Sequence, residues 1–122
     1  MGKGLFITGT DTGVGKTLVS VGLITLLKER GMRVGVMKPV ESGCRREDGG
    51  LIPEDATLLR DAADSQEDLD IINPYALEAP LAPALAADVE GIFVCRLACC
   101  GCGDDPAVGS ADVFCAGFDW AI

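Results

Sequence analysis

The stretch Gly9-Thr10-Asp11-Thr12-Gly13-Val14-Gly15-Lys16-Thr17 constrains this chain more than any other, because it joins a short apolar run to an amphipathic segment. Its ending, Gly15-Lys16-Thr17, is that of a phosphate-binding loop. Glycines let the backbone turn N–H groups inward around an anion, and the start of the next helix adds positive potential. Lys16 can then meet the outer phosphates while the Thr17 hydroxyl faces Mg2+. The spacing departs from the strict pattern: five residues, Thr10 to Val14, separate Gly9 from Gly15, where the usual loop has four and puts glycine in the place of Thr10. The plain alternative is a glycine-rich turn with a solvated lysine. The strand before the loop and the helix after it favour the phosphate site.

Gly4-Leu5-Phe6-Ile7-Thr8 reads as a strand buried on both faces of a parallel sheet. From Thr17 to Arg30, apolar residues recur at Leu18, Val19, Val21, Leu23, Ile24, Leu26 and Leu27, and Gly31 follows, so a helix with a glycine stop fits. Arg33 to Lys38 is a second strand, halted by Pro39, and should run parallel to the first through a right-handed crossover. Ser42 to Ile52 is polar and glycine-containing and reads as a loop. Pro53 to Asp64 reads as a helix whose Pro-Glu-Asp opening suits the helix dipole. Asn73-Pro74, Pro80 and Pro83 make turns before a short helical stretch from Ala84 to Val89. The fold class is α/β: a parallel sheet with flanking helices of the P-loop NTPase kind, incomplete over this length.

Charge narrows the partners. The 122 residues carry a formal charge of −9, with ten Lys plus Arg and no histidine, which excludes a basic track for nucleic acid or anionic lipid. No run approaches the roughly 20 apolar residues of a membrane span, and Met1-Gly2-Lys3-Gly4 leads into a strand rather than a signal peptide. The expected setting is cytoplasmic. Of six cysteines, five (Cys95, Cys99, Cys100, Cys102 and Cys115) fall within residues 92–122, so a disulfide framework through the whole chain is not expected.

Lys38 stands at the carboxyl end of the second strand, the edge at which open α/β sheets bind ligands. On position alone, a strand-end lysine in water is the plainer reading. Asp55 divides the same way, between a helix-opening acid and a hard oxygen ligand for Mg2+ beside phosphates. Asp11 suits either a turn bond to neighbouring N–H groups or a contact with a substrate amine.

The loop together with Lys38-Pro39-Val40-Glu41-Ser42-Gly43 resembles dethiobiotin synthetase. Pro53-Glu54-Asp55-Ala56, Asn73-Pro74-Tyr75 and Pro80-Leu81-Ala82-Pro83 extend the likeness over about residues 3–91. The resemblance implies an ATP- and Mg2+-dependent ring closure of biotin synthesis. Carbon dioxide adds to an amine of 7,8-diaminononanoate, the carbamate is phosphorylated, and the second amine displaces phosphate to give dethiobiotin. It further implies that Gly13, Val14, Gly15, Lys16, Thr17 and Leu18 hold the ATP phosphates and that Thr17 and Asp55 serve the metal at the nucleotide. Lys38 would be the catalytic cation, with Thr12 and Ser42 at the diamine or its carbamate. Small molecules are the implied partners, with a homodimer in the family whose interface is missing here.

Beyond Gly91 the family pattern stops. Residues 1–91 are therefore read as the N-terminal part of the synthetase domain, and 92–122 as a divergent cysteine-rich tail of the kind a frame shift or early stop produces. The family's later Val-Glu-Gly-Ala-Gly-Gly motif, with a further metal ligand, has no counterpart: Glu90-Gly91 lacks the preceding apolar strand and carries no metal role. Cys95, Cys99, Cys100 and Cys102 lack the paired, separated spacing of structural zinc. The chain by itself is expected to be inactive. Two rival readings are a nonenzymatic nucleotide-binding fragment and a ParA-like ATPase, the latter disfavoured by the acidic charge and by Gly9-Thr10-Asp11 where such proteins carry a lysine.

Overall fold

The computed structural model describes residues 3–11 and 13–94 and the backbone of Val113–Gly117. Strand β1 (Lys3–Ile7) leads into the glycine-rich loop, helix α1 (Lys16–Glu29) follows it, and β2 (Val34–Met37) completes the strand-helix-strand unit. The two strands are parallel, as the sequence implies, but they are not neighbours. Strand β7 (Val113–Gly117) lies between them and pairs in parallel with both, with Lys3 and Val34 each opposite Val113.

The first strand corrects one expectation. Leu5 is 44% and Phe6 59% exposed, so β1 is not buried on both faces. Three of the described helices gather instead against β2, which β7 separates from β1. Val34 and Val36, two apart and therefore on one face of the strand, meet Ile24 of α1, Ala56 and Leu59 of α2 (Glu54–Ala63) and Ile72 of α3 (Leu69–Ile72). Each large apolar side chain buried there contributes about 1.5–3 kcal/mol. The C-terminal ends of α1 and α2 are tied by Lys28, whose ammonium donates to the Ala62 carbonyl at 2.8 Å and pairs with Asp64. Asp64 itself ends α2 in the left-handed conformation (φ 51°).

A second cluster fixes the stretch after β2. Strand β3 (Val40–Glu41) pairs in parallel with β6 (Tyr75–Ala76), and the ladder runs on irregularly. Tyr75 N–H donates to Pro39 O, Leu77 N–H to Glu41 O, and Cys44 N–H to Leu77 O, at 2.8–3.1 Å. Val40 and Leu77 pack on Ala86 and Ala87 of α4 (Pro83–Glu90), the helix anticipated over Ala84 to Val89. The expected turns thus contain a paired segment that holds Lys38 to Ser42 in place.

Ser42 to Ile52 is also not the plain loop expected. β4 (Arg45–Glu47) and β5 (Gly50–Ile52) form an antiparallel hairpin with Glu47 opposite Gly50, closed by Asp48-Gly49. Asp-Gly is a favoured two-residue hairpin turn. The strands escape recognition because they lack apolar alternation: β4 is exposed throughout and is anchored by Arg46, which donates to Glu78 Oε2 at 2.6 Å. No helix among the described residues is long and apolar enough to cross a membrane.

Candidate functional site

The loop owes its curl to two glycines. A Cβ on Gly9 would stand 2.9 Å from Val14 Cγ2 and 3.1 Å from Lys16 Cδ, so any other residue there must displace the Val14 and Lys16 side chains. Gly15 precedes α1 with φ 102°, a conformation that costs other residues about 1–2 kcal/mol. Helix α1 has no side-chain cap and no acid in its first turn, which leaves its N-terminal N–H groups directed at the loop. Lys16 Nζ donates to the Asp11 carbonyl and so lies across the loop. Gly13 (φ 70°) is exposed, and Val14 and Leu18 point outward, so any part they take in holding phosphate falls to their backbone.

Three sequence-flagged residues from three segments of the chain converge on one atom. Asp55 Oδ2, in the first turn of α2, accepts the Thr17 hydroxyl of α1 at 2.7 Å and the Lys38 ammonium at 2.5 Å. Lys38 is only 5% exposed, so it is not a solvated strand-end lysine, and Asp55 does more than complement a helix dipole. Burial of Asp55 acts to raise its pKa, but the hydrogen bonds from Lys38 and Thr17 and the charges of Lys38 and Lys16 outweigh it and hold the carboxyl below the usual aspartate range. Glu41 departs in the other direction: burial pushes its pKa up, against two backbone N–H bonds and the charge of Lys38.

This donor set suits Mg2+. Adjacent oxygens around Mg2+ at 2.0–2.1 Å stand about 2.9 Å apart, close to the 2.7 Å between Thr17 Oγ1 and Asp55 Oδ2. Among the described residues no group of three or more His, Cys, Asp or Glu gathers to hold a metal alone. One hydroxyl and one carboxylate are what Mg2+ takes from a protein when phosphates and water supply the rest.

Beside these groups a cavity of about 220 Å³ is lined by Gly13, Lys38, Glu41, Ser42, Gly43, Asp55, Pro80 and Leu81. Ser42 is one of the residues that line it. Thr12 lies outside the described residues, as do Cys95, Cys99, Cys100 and Cys102. The Cys44 thiol is buried and pushed up to about 11 by burial and then by the charge of Glu41, which makes it a poor nucleophile.

A family model described as an AAA domain matches residues 3–97. The chain belongs to this AAA-domain family. Its P-loop α/β class agrees with the sheet and loop described above. Similar proteins include the ATP-dependent dethiobiotin synthetase BioD of Thermodesulfovibrio yellowstonii, 49% identical over 94 residues, which are 77% of this chain and 39% of that relative. Those of Xanthomonas axonopodis pv. citri (52% over 87 residues; 71% and 39%) and Xylella fastidiosa (51% over 89 residues; 73% and 39%) carry the same description. The chain spans about two fifths of the length of these curated relatives.

For this AAA-domain chain, sequence reasoning left Asn73 and Glu41, both buried beside the site, without a role. Asn73, read as part of a turn and of the family likeness, donates from Nδ2 to the Lys38 carbonyl at 2.6 Å, while Lys38 N–H donates to Ile72 O at 2.9 Å. The following Pro74 biases Asn73 towards an extended backbone, a signal that was available. Glu41 bonds the first turn of α2, and no sequence signal announces so distant a cap. Glu90 accepts the Ala79 N–H at 2.8 Å, which gives it a bond inside the fold.

Proposed function

We propose that this chain is the N-terminal part of an ATP- and Mg2+-dependent dethiobiotin synthetase, with residues 1–91 in the synthetase domain and 92–122 diverging from it. The observation that carries the reading is the meeting of Thr17, Lys38 and Asp55 on one carboxylate oxygen at the mouth of the loop. A phosphate loop alone fits many nucleotide-binding proteins; a buried second lysine joined to the metal-side carboxylate fits phosphoryl transfer to a substrate in the adjoining cavity.

Backbone N–H groups of Gly13 to Leu18 and the Lys16 ammonium bind the ATP phosphates. Mg2+, held by Thr17 and Asp55, would neutralise charge on those phosphates. Lys38 leaves Asp55 to meet the transferred phosphoryl group, where its charge counts most as the P–O bond to ADP breaks. Ser42 and Thr12 orient the carbamate that carbon dioxide forms on one amine of 7,8-diaminononanoate. The carbamate oxygen takes the phosphoryl group, and the second amine then attacks the carbonyl carbon, releases phosphate and closes the ring. The setting is cytoplasmic and the working form a homodimer. Residues 1–122 alone do not turn over.

The test is a chimera in which residues 1–91 replace the matching part of the Thermodesulfovibrio yellowstonii relative. It should form dethiobiotin from diaminononanoate, bicarbonate, Mg2+ and ATP, and Lys38→Ala should lower kcat at least tenfold, on the order of one lost charged contact in the transition state, with ATP binding retained. A folded chimera that binds Mg2+-ATP without turnover would reject the reading in favour of a nonenzymatic nucleotide-binding fragment.

A further inference from the structure

Helix α2 begins without a cap of its own. Pro53 stands at its N-cap position, and no side chain there bonds the first N–H groups of the helix. The acceptors come from another element: Glu41, on β3 and 8% exposed, takes the Asp55 N–H on Oε1 at 2.9 Å and the Ala56 N–H on Oε2 at 3.0 Å. Burying a carboxylate is an expensive way to cap a helix, since Ser, Thr, Asp or Asn at the N-cap does the same from the surface. What the distant cap adds is a fixed relation between β3 and Asp55. The backbone of Asp55 is held by Glu41 while its side chain is held by Thr17 and Lys38, so both ends of the residue are fastened to neighbouring segments.

We propose that Glu41 is a positioning residue for Asp55: by holding the Asp55 and Ala56 amides it sets the carboxylate at the distance from Thr17 and Lys38 that metal and phosphate binding need. The inference rests on the reading of Asp55 as the metal-side ligand. Groups that orient a metal ligand are worth about 10- to 100-fold in metal affinity. Glu41→Gln keeps the shape and one oxygen acceptor but sets an NH2 group against one of the two amides.

The experiment is calorimetric ATP binding to residues 1–122 across a Mg2+ titration. Glu41→Gln should raise the Mg2+ concentration at half effect about tenfold or more, with ATP affinity in the absence of Mg2+ within about twofold of the parent. Glu54→Gln removes a charge from the same helix end without touching Asp55 and should leave the titration unchanged. A Glu41→Gln titration that superimposes on the parent, while Asp55→Asn shifts, overturns the positioning role and leaves the metal reading intact. A parent chain that shows no Mg2+ effect, or an Asp55→Asn titration that does not move, sinks the metal reading and the inference with it. Should Glu41→Gln fail to fold, hydrogen exchange in the unmutated chain decides: the Asp55 and Ala56 amides should exchange at least about tenfold more slowly than the Glu54 amide at the uncapped first position. Equal rates overturn the proposal.

Discussion

Lys38 Nζ and Asp55 Oδ2 lie 2.5 Å apart, joining the residue just past β2 to the first turn of α2. The ammonium is almost wholly buried and the carboxylate only partly so, which makes the pair asymmetric: Lys38 depends on Asp55 more than Asp55 depends on Lys38, because Asp55 also has Thr17 and water. The same oxygen is the one the metal would take. On the proposed reading, binding of Mg2+-ATP would exchange one cation for another on Asp55 and free Lys38 for the phosphoryl group.

Asp55→Asn should consequently do two things. It leaves the buried Lys38 ammonium without its anion, and should lower the unfolding free energy by about 1–3 kcal/mol, less than a fully buried pair because Asp55 is partly exposed. It should also raise the Mg2+ requirement for nucleotide binding. Denaturant unfolding and a metal titration read the two effects separately, and an unchanged titration would return Asp55 to a stabilising role alone.

The two site carboxylates give opposite pH dependences. The folded-state pKa of Asp55 is depressed, so its contribution to stability is complete above the usual aspartate value of about 3.9 and is lost as pH falls through the lower folded value. The pKa of Glu41 is raised, so the folded chain holds that proton longer and stability declines as pH rises from about 4.3 through the higher folded value. Unfolding midpoints measured between about pH 3 and pH 6 should show both slopes. Asp55→Asn should reduce the loss on the acid side, leaving the part that the Arg46-bonded Glu78 contributes, and keep the decline above it.

How much of this was legible in the sequence depended on the range of the interaction. The loop, α1, β2 and α2 announce themselves because glycine turns, apolar periodicity and Pro-Glu-Asp are local signals, and the structure places all four within a residue or two of the expected bounds. Lys38 and Asp55 needed the family resemblance, since a strand-end lysine and a helix-opening acid each have a plainer reading alone. β3 and β6 are only two residues long, and their pairing joins segments more than thirty residues apart, so no window of sequence contains it. Glu41 was hidden for the same reason: its partners lie 14 and 15 residues away on another element. The β4–β5 hairpin had one local signal, Asp48-Gly49, masked by strands made of Arg and Glu.

Lys16→Ala should remove a phosphate contact that the rest of the loop cannot replace. A charged hydrogen bond contributes about 1.5–3 kcal/mol, so the loss in Mg2+-ATP affinity should be about 10- to 150-fold by calorimetry. Gly9→Ala tests the loop by another route, because its methyl group would collide with Val14 and with the stem of Lys16. It should weaken binding comparably with the lysine still present. Full affinity in both variants would remove the loop from the site.

Purified residues 1–122 should make no dethiobiotin from diaminononanoate, bicarbonate, Mg2+ and ATP above a control without protein. These residues correspond to about two fifths of the relatives' length. Leu5 and Phe6 of β1, Leu18 and Val19 of α1 and Val89 of α4 are all more than 40% exposed, and Phe93 is 87% exposed. Large apolar side chains exposed in this number favour association. On the proposed reading, catalysis needs more than the Thr17–Asp55–Lys38 cluster: the diamine must also be held against the phosphates to within a fraction of an ångström. Weak nucleotide binding without turnover is therefore the expected behaviour, together with a tendency to self-associate that size-exclusion chromatography would reveal. Dethiobiotin detected by mass spectrometry, and lost on Lys16→Ala so that a contaminant is ruled out, would show instead that residues 92–122 complete the site.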